Sequence, residues 1–435
     1  MRAELTIDDL APGGEGIGRA GERPVFVPWT APGDRVEVDL PGGEGPAHPA
    51  LARLVAPGRD RVLAPCRHFG PGPAAGCGGC EWQHVAYAAQ LAAKERIVRE
   101  ALRRIGRLDP DASGIAPIAP SPDPLRYRSR AKLHLDRASG RLVFFRRRSH
   151  AAVPVEACHL LVPGLEALRA ALGPALVAAR LAPREVAIEW SDLEARGSAL
   201  LVLEPTGAAR ERAEALLAAL PALAGVVLRG DEGPAVPVGG PVLRHLRVPG
   251  RPEAGTQRSR PDVFQQANRA ANARLVEHAL ALLRPEGEDV LELYCGAGNF
   301  TGPLAARARA VAAVEGQGPA LELARQDLAG AGNVRFFAGD AMELAGALAR
   351  EPRRFGAVLL DPPREGARGI GRTLRALRAP RAVYVSCDPA TLARDVRGCV
   401  EEGYRVRAVR PVDLFPQTHH VEAVVLLEDG RPRSG

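Results

Sequence analysis

A chain of 435 residues with 46% hydrophobic content is too long for one ordinary core and too apolar for bulk disorder, so two or three domains are expected. No run of ~18 apolar residues is present to span a bilayer, and the Met1-Arg2-Ala3-Glu4 start lacks the run of a signal peptide, so a cytoplasmic protein away from membranes is expected. The net charge is +7, carried almost wholly by Arg, whose planar fork suits phosphate; abundant Ala, Gly and Pro accompany it, so charge alone points only weakly to nucleic acid.

In chain order, residues 1–60 carry short strands at 3–7, 23–28, 34–39 and 50–54, broken by turns such as Pro12-Gly13-Gly14 and Pro32-Gly33-Asp34, the pattern of a small β-barrel. Seven Cys in a cytosolic chain do not suggest a disulfide framework, and four of them form one arrangement: Cys66, the close pair Cys77 and Cys80, and Cys158. A zinc ribbon would want a second close pair; four thiolates leave zinc and an iron–sulfur cluster both open. Between Cys80 and Cys158, residues 132–136 and 141–145 read as a hairpin. Arg126, Arg128, Arg130 and Lys132, then Arg146-Arg147-Arg148-Ser149-His150, are expected to give it a basic stripe for phosphate. Residues 165–238 mix helices and strands without settling how they pair.

Beyond residue 289, apolar strands at 290–294, 311–314, 334–337, 357–360 and 382–386 alternate with helical segments, which argues for a parallel α/β sheet binding its ligand at the carboxyl ends of the strands. The first strand runs into Tyr294-Cys295-Gly296-Ala297-Gly298-Asn299, where glycine admits close approach of a ligand to the backbone. The second ends in Glu315, a carboxylate able to accept from both hydroxyls of a ribose. A third glycine and a Walker lysine are missing, so adenosine without phosphates fits better. Asp340 and Asp361 follow the third and fourth strands. Singly, each reads as a helix N-cap; as an ordered row with Glu315 they suit a cationic nucleoside such as S-adenosylmethionine. Cys387 lies on the same edge in a polar, Pro-broken loop, as an exposed reactive thiol would, and Glu422 stands at the mouth of an apolar strand at 423–427 as a candidate proton acceptor.

Leu293-Tyr294-Cys295-Gly296-Ala297-Gly298-Asn299-Phe300-Thr301, Asp361-Pro362-Pro363-Arg364, Ser386-Cys387-Asp388-Pro389-Ala390-Thr391 and His420-Val421-Glu422 resemble, in order and spacing, the bacterial RNA uracil-5 methyltransferase family, and the resemblance spans nearly the whole chain. It implies an α/β fold with a Rossmann-like S-adenosylmethionine-dependent domain at 256–435, Cys387 as nucleophile and Glu422 as base. By the same likeness Gln266, in Phe264-Gln265-Gln266-Ala267-Asn268, would contact the cofactor with Tyr294, Gly296, Gly298, Asn299, Glu315, Asp340 and Asp361. Some relatives carry Asn at position 340; either side chain can accept from adenine.

The context Cys66-Arg67-His68-Phe69-Gly70 and Cys77-Gly78-Gly79-Cys80-Glu81-Trp82 resembles the four-iron four-sulfur subgroup of that family, which implies Cys66, Cys77, Cys80 and Cys158 as cluster ligands, with residues 71–75 as an insertion. Val25-Phe26-Val27-Pro28 and Pro32-Gly33-Asp34 resemble the TRAM domain, an OB-like RNA-binding barrel. Residues 61–255 would then be a central α+β domain for cluster and RNA, with about 93–119 packing on the catalytic domain. Transfer-RNA members of the family typically lack barrel and cluster. The resemblance therefore implies a flipped or unpaired uridine of 23S ribosomal RNA as substrate, transfer RNA as the alternative, and no obligate protein partner. A cytosine-5 methyltransferase would want a different nucleophile motif, a radical iron–sulfur enzyme a C-x-x-x-C-x-x-C triad, and a noncatalytic RNA binder would leave Cys387 and Glu422 unexplained.

Overall fold

The computed structural model describes residues 1–43, 45–72 and 76–431. Alternating apolar residues near the amino terminus give five strands, β1 (Arg2–Leu10), β2 (Gly16–Ala20), β3 (Arg23–Val27), β4 (Arg35–Asp39) and β5 (Leu51–Ala56), in the order β3-β2-β1-β4-β5. Leu5, Ile7, Val25, Val27, Val36 and Val38 bury their side chains together, and a bulge between Ile7 and Asp9 curls the sheet. Strand β2 departs from the four strands expected. Its glycines serve close packing: a Cβ on Gly18 would lie 2.3 Å from the Thr6 carbonyl oxygen.

Helix α1 (Tyr87–Arg104) follows the cysteine pair. The central sheet contains β6 (Arg130–Asp136), β7 (Arg141–Phe145), β8 (Ala152–Val153), β9 (Glu185–Ser191), β10 (Arg196–Val202), β11 (Leu223–Arg229) and β12 (Val236–Gly239), in the order β12-β11-β10-β9-β6-β7-β8. Helices α2 (Pro163–Ala178) and α3 (Gly207–Ala219) pack on it through Leu165, Leu168, Leu172 and Leu216, against Leu133, Val186, Ile188 and Leu201. Each such fully buried aliphatic side chain stabilises the fold by about 1.5–3 kcal/mol.

A hairpin of β13 (Leu243–Leu246) and β14 (Thr256–Ser259) leads into α4 (Arg269–Leu283). The last sheet is then built from β15 (Asp289–Leu293), β16 (Ala310–Glu315), β17 (Val334–Ala338), β18 (Ala357–Leu360), β19 (Arg381–Ser386), β20 (Tyr404–Val412) and β21 (Glu422–Asp429). Its order is β17-β16-β15-β18-β19-β21-β20. The first five strands are parallel, and β21 runs antiparallel to both β19 and β20. Helices α5 (Thr301–Ala305), α6 (Gly318–Asp327), α7 (Ala341–Leu348), α8 (Ile370–Leu377) and α9 (Pro389–Glu401) make the crossovers. The chain leaves β15 toward β16 and β17 and returns to its other side at β18, so the switch point lies between β15 and β18, where such sheets open a crevice. Two cores, one on each face, enclose the sheet. Helix α1 joins the first of them: Ile97, Val98 and Leu102 bury beside Leu291, Val358 and Val396, and isolated bridges tie Ile115 to Val409 and Ala119 to Val412. Among the described residues no helix is long and apolar enough to cross a membrane.

Candidate active site

At the carboxyl ends of β15, β16, β18 and β19 lies a cavity of about 520 Å³ lined by Gln266, Tyr294, Gly296, Asn299, Glu315, Asp361, Cys387 and Glu422, among others. Tyr294 turns the chain out of β15 with φ +62°, and Gly296 and Gly298 follow at +55° and +83°. A left-handed tyrosine persists only where its surroundings enforce it, and here the turn is pinned from outside: Cys295 N donates to the Val314 carbonyl at 3.0 Å and Gly296 N to Glu315 Oε2 at 2.8 Å. Glu315 Oε1 accepts from Gln317 N at 2.7 Å, so both carboxylate oxygens are fixed at the rim. Asn299 exchanges amide hydrogen bonds of 2.8 and 3.1 Å with Asn272 of α4.

Gly298 and Asp340 stand outside the cavity wall. The Gly298 carbonyl accepts from Arg247 Nη1 at 3.0 Å. Asp340 caps α7, accepting from Met342 N and Glu343 N at 2.9 Å, and its charge helps to raise the Tyr294 phenol, after burial.

Cys387 and Glu422 come together through sheet register. Ser386 pairs with Ala423 across the antiparallel β19–β21 ladder, so the two residues leave neighbouring strands one position further on. Burial pushes the Glu422 carboxyl up to about 8, with the Asp361 charge adding and Arg364 opposing. Burial raises Asp361 to about 7. The Cys387 thiol is pushed up to about 12, first by burial and then by the Glu422 charge, against the pull of Arg364. Two carboxyls that titrate near neutral pH thus share one desolvated space with a thiol that is half-buried rather than exposed as expected and stays protonated, and a cation entering it would favour the ionised forms of all three.

Sequence reasoning passed over several lining residues: Phe264, Arg269, Arg364, Phe415 and His420. Arg364 stands in the quoted Asp361-Pro362-Pro363-Arg364 segment and His420 two residues before Glu422, so both carried a signal. Burial, with His419 and Arg364, holds the His420 imidazole down to about 4 and hence neutral.

Cys66, Cys77, Cys80 and Cys158 face a second cavity, lined also by Phe69, Arg128 and Leu160. All four are free thiols. Burial, with the charges of Cys158 and Cys66, pushes Cys77 up to about 11, and burial raises Cys80 and Cys158 as well. Gln83 donates to Cys80 Sγ at 3.1 Å and accepts from Cys66 N at 3.2 Å, which ties the two ends of the loop together. Of the expected insertion, residues 73–75 lie outside the described residues. Among the described residues no three His, Cys, Asp or Glu side chains converge on a point that would hold a single metal ion.

The basic hairpin is split. Arg128, Lys132, Arg146, Arg147 and Arg148 line an open concavity with His134, Phe145 and His419. Arg130 does not join the expected stripe: its guanidinium donates to the Val263 and Pro261 carbonyls at 2.5 and 2.8 Å and faces Glu189, tying the central sheet to the chain before α4. Arg147 and Arg148 pair with Glu15 of the barrel at 3.7 and 3.3 Å.

A family model described as tRNA (Uracil-5-)-methyltransferase matches residues 241–430, and one described as the TRAM domain of tRNA (uracil(54)-C(5))-methyltransferase matches residues 1–40, so the barrel, contrary to expectation, does not separate ribosomal from transfer-RNA members. The chain is 36% identical over 437 residues to a 23S rRNA (uracil(1939)-C(5))-methyltransferase of Pseudomonas entomophila, with 99% of this chain and 94% of that one covered. An enzyme of the same description from Pseudomonas aeruginosa is 36% identical over 448 residues, with the same coverage. Among solved structures, the Pyrococcus abyssi tRNA (uracil-54, C5)-methyltransferase in complex with S-adenosyl-L-homocysteine superposes with a TM-score of 0.73 at 22% identity, covering 98% of this chain and 100% of that one, a likeness of fold. With relatives of this identity aligned from end to end, the chain belongs to the RNA uracil-5 methyltransferase family.

Proposed function

We propose that this enzyme transfers the methyl group of S-adenosylmethionine to C5 of a uridine in 23S ribosomal RNA through a covalent bond between Cys387 and uracil C6. The observation that carries the reading is that Cys387 and Glu422 open into the same cavity as Tyr294, Glu315 and Asp361. Its volume suits a nucleoside-sized ligand, and its acidic rim suits a sulfonium. Uracil C5 is a poor nucleophile. Addition of the Cys387 thiolate to C6 generates an enolate that attacks the methyl carbon, and S-adenosylhomocysteine departs. Glu422 removes the C5 proton, the bond to Cys387 breaks, and the ring is restored. The Cys387 proton must leave first. Arg364 pulls the thiol toward ionisation, a bound sulfonium would add to that pull, and the proton leaves to solvent before uracil closes the cavity, so that the Glu422 carboxylate is still available for the C5 proton.

A base inside a duplex cannot reach a cavity of this kind, so the substrate is a flipped or unpaired uridine. The basic concavity and the barrel hold flanking phosphates. The four thiols around one cavity fit a four-iron four-sulfur cluster, which would cross-link the loop of Cys66, Cys77 and Cys80 to Cys158. Protein purified without oxygen should carry iron and sulfide in about four equivalents each; stoichiometric zinc without sulfide would replace the cluster with a zinc site.

The reading is tested by incubating the enzyme with labelled S-adenosylmethionine and either a 23S ribosomal RNA fragment or transfer RNA transcripts, then mapping the product by mass. Methyl at uridine C5 in the ribosomal fragment is expected. Label confined to transfer RNA would move the substrate to that class, and label on cytosine would refute the reaction.

A further inference from the structure

The segment between β20 and β21 carries Phe415 and His420 into the catalytic cavity and delivers Glu422, and much of what holds it lies in the chain that follows the cysteine pair. Gln417 is the hub. It sits at φ +70°, a conformation a non-glycine residue keeps only when its neighbours over-determine it. Its carbonyl accepts from both Glu81 N and Trp82 N at 3.0 Å, immediately after Cys80. Its N–H donates to Gln90 Oε1 at 3.0 Å, its Oε1 accepts from Gln90 Nε2 at 3.0 Å, and its Nε2 donates to the Pro124 carbonyl at 3.2 Å. The Gln90 Nε2 also reaches the Trp82 and Val85 carbonyls at 3.0 and 2.9 Å, so one buried amide on α1 clasps both the segment after the cysteine pair and the catalytic loop. Tyr127, which packs in one apolar cluster with Cys80, Leu160 and Cys158, donates to the Pro416 carbonyl at 2.9 Å.

We propose that Gln90 and Gln417 are positioning residues that register the catalytic loop against the backbone following Cys80, so that the seats of His420 and Glu422 depend on the folded state of the four-thiol cavity. The idea rests on the reaction proposed above, but its coupling arm does not. Both amides lie apart from the Glu315 rim, which they should leave undisturbed. A small displacement of Glu422 would be felt steeply, because reacting groups lose rate over fractions of an ångström.

The test uses full-length protein and Gln90→Leu, which keeps bulk and removes every hydrogen bond of the amide. Expected are a loss of roughly tenfold or more in the rate of covalent adduct formation with uridine RNA, affinity for S-adenosylhomocysteine within about twofold of wild type, and faster amide exchange over residues 413–421. A general loss of fold would instead weaken cofactor binding and the exchange protection of β15 and β16 together. A native adduct rate in Gln90→Leu overturns the positioning role. The second arm needs no RNA: Cys158→Ser, with Cys80→Ala should that variant not fold, is expected to speed exchange over 413–421 while β15 and β16 stay protected. Native exchange there overturns the coupling even if uridine methylation is confirmed, and accelerated exchange supports it even if the substrate proves to be different.

Discussion

The catalytic cavity and the basic concavity treat charge in opposite ways. Around the cavity, Asp361, Glu422 and Cys387 are desolvated; the two carboxyls titrate near neutral pH, while the thiol holds its proton there until a positive charge draws it off. In the concavity, Lys132 and Arg148 remain largely in solvent, and the Lys132 pair with Glu185 is of the kind that contributes little to stability. Chemistry needs groups that can change protonation; phosphate recognition needs charges that are permanently on. Changes in the first region should therefore stop turnover without weakening RNA binding much, and changes in the second should do the reverse.

The largest effect is expected at the nucleophile. Cys387→Ala should reduce methyl transfer to below a few per cent of wild type while S-adenosylhomocysteine affinity, measured by calorimetry, stays nearly intact. Turnover above that level would remove Cys387 from the mechanism. Glu422→Gln should slow turnover by about 10²–10⁴-fold and do so after methyl transfer, so that a denaturation-resistant adduct of protein and RNA accumulates on a gel; without that band Glu422 is not the base. In wild type, kcat/KM should rise between about pH 6 and about pH 9, because a base raised to about 8 must lose its proton to act, with the apparent pKa belonging to the coupled set of cavity acids.

A subtler test concerns a buried acid outside the cavity wall. Glu292 of β15 is fully buried with the Thr301 hydroxyl beside its carboxyl, and burial, with the Asp361 charge adding and Thr301 and Arg247 opposing, pushes it up to about 8. Its folded value lies above its unfolded one, so the folded state binds the proton more tightly and stability falls as pH rises from about 4.5 to about 8. Glu292→Gln should therefore be stabilised by a few kcal/mol at about pH 8, with the gain shrinking toward about pH 5 in thermal melts. A gain independent of pH would mean that the carboxyl is not titrating. The smallest effect is expected for Arg148→Ala, which should weaken RNA binding a few-fold and make its salt dependence shallower by about one unit of slope, with cofactor affinity unchanged. An unchanged slope would show that Arg148 touches no phosphate.

How legible all this is in the sequence depends on how local each signal is. Glu315, Asp361 and Cys387 could be read because each closes or follows a short apolar run whose register is set within a few residues. Strand β20 could not: Tyr404–Val412 interleaves Arg405, Arg407, Arg410 and Pro411, the habit of an edge strand, and its pairing with β21 spans a loop. The pairing of β6 with β9, which orders the central sheet, is likewise a long-range event with no local mark. Alternation along 126–132 suggested one basic face, but it could not show that Arg130 is used to join two regions. Asp340 carried two readings, and its capping role is the one visible in its hydrogen bonds.

The burial of α1 in the core of the last sheet bears on how the protein is made. Lys94 is fully buried and donates to Asp413 Oδ1 at 2.6 Å across 319 residues of sequence. On the ribosome this helix emerges long before the strands it will cover, so its apolar face and an unpaired ammonium must wait through synthesis of the central sheet. Such late closure slows folding and leaves a sticky intermediate. A fragment beginning at residue 256 would expose the groove left by Ile97, Val98 and Leu102, and it should aggregate unless a peptide spanning 87–104 is supplied alongside it.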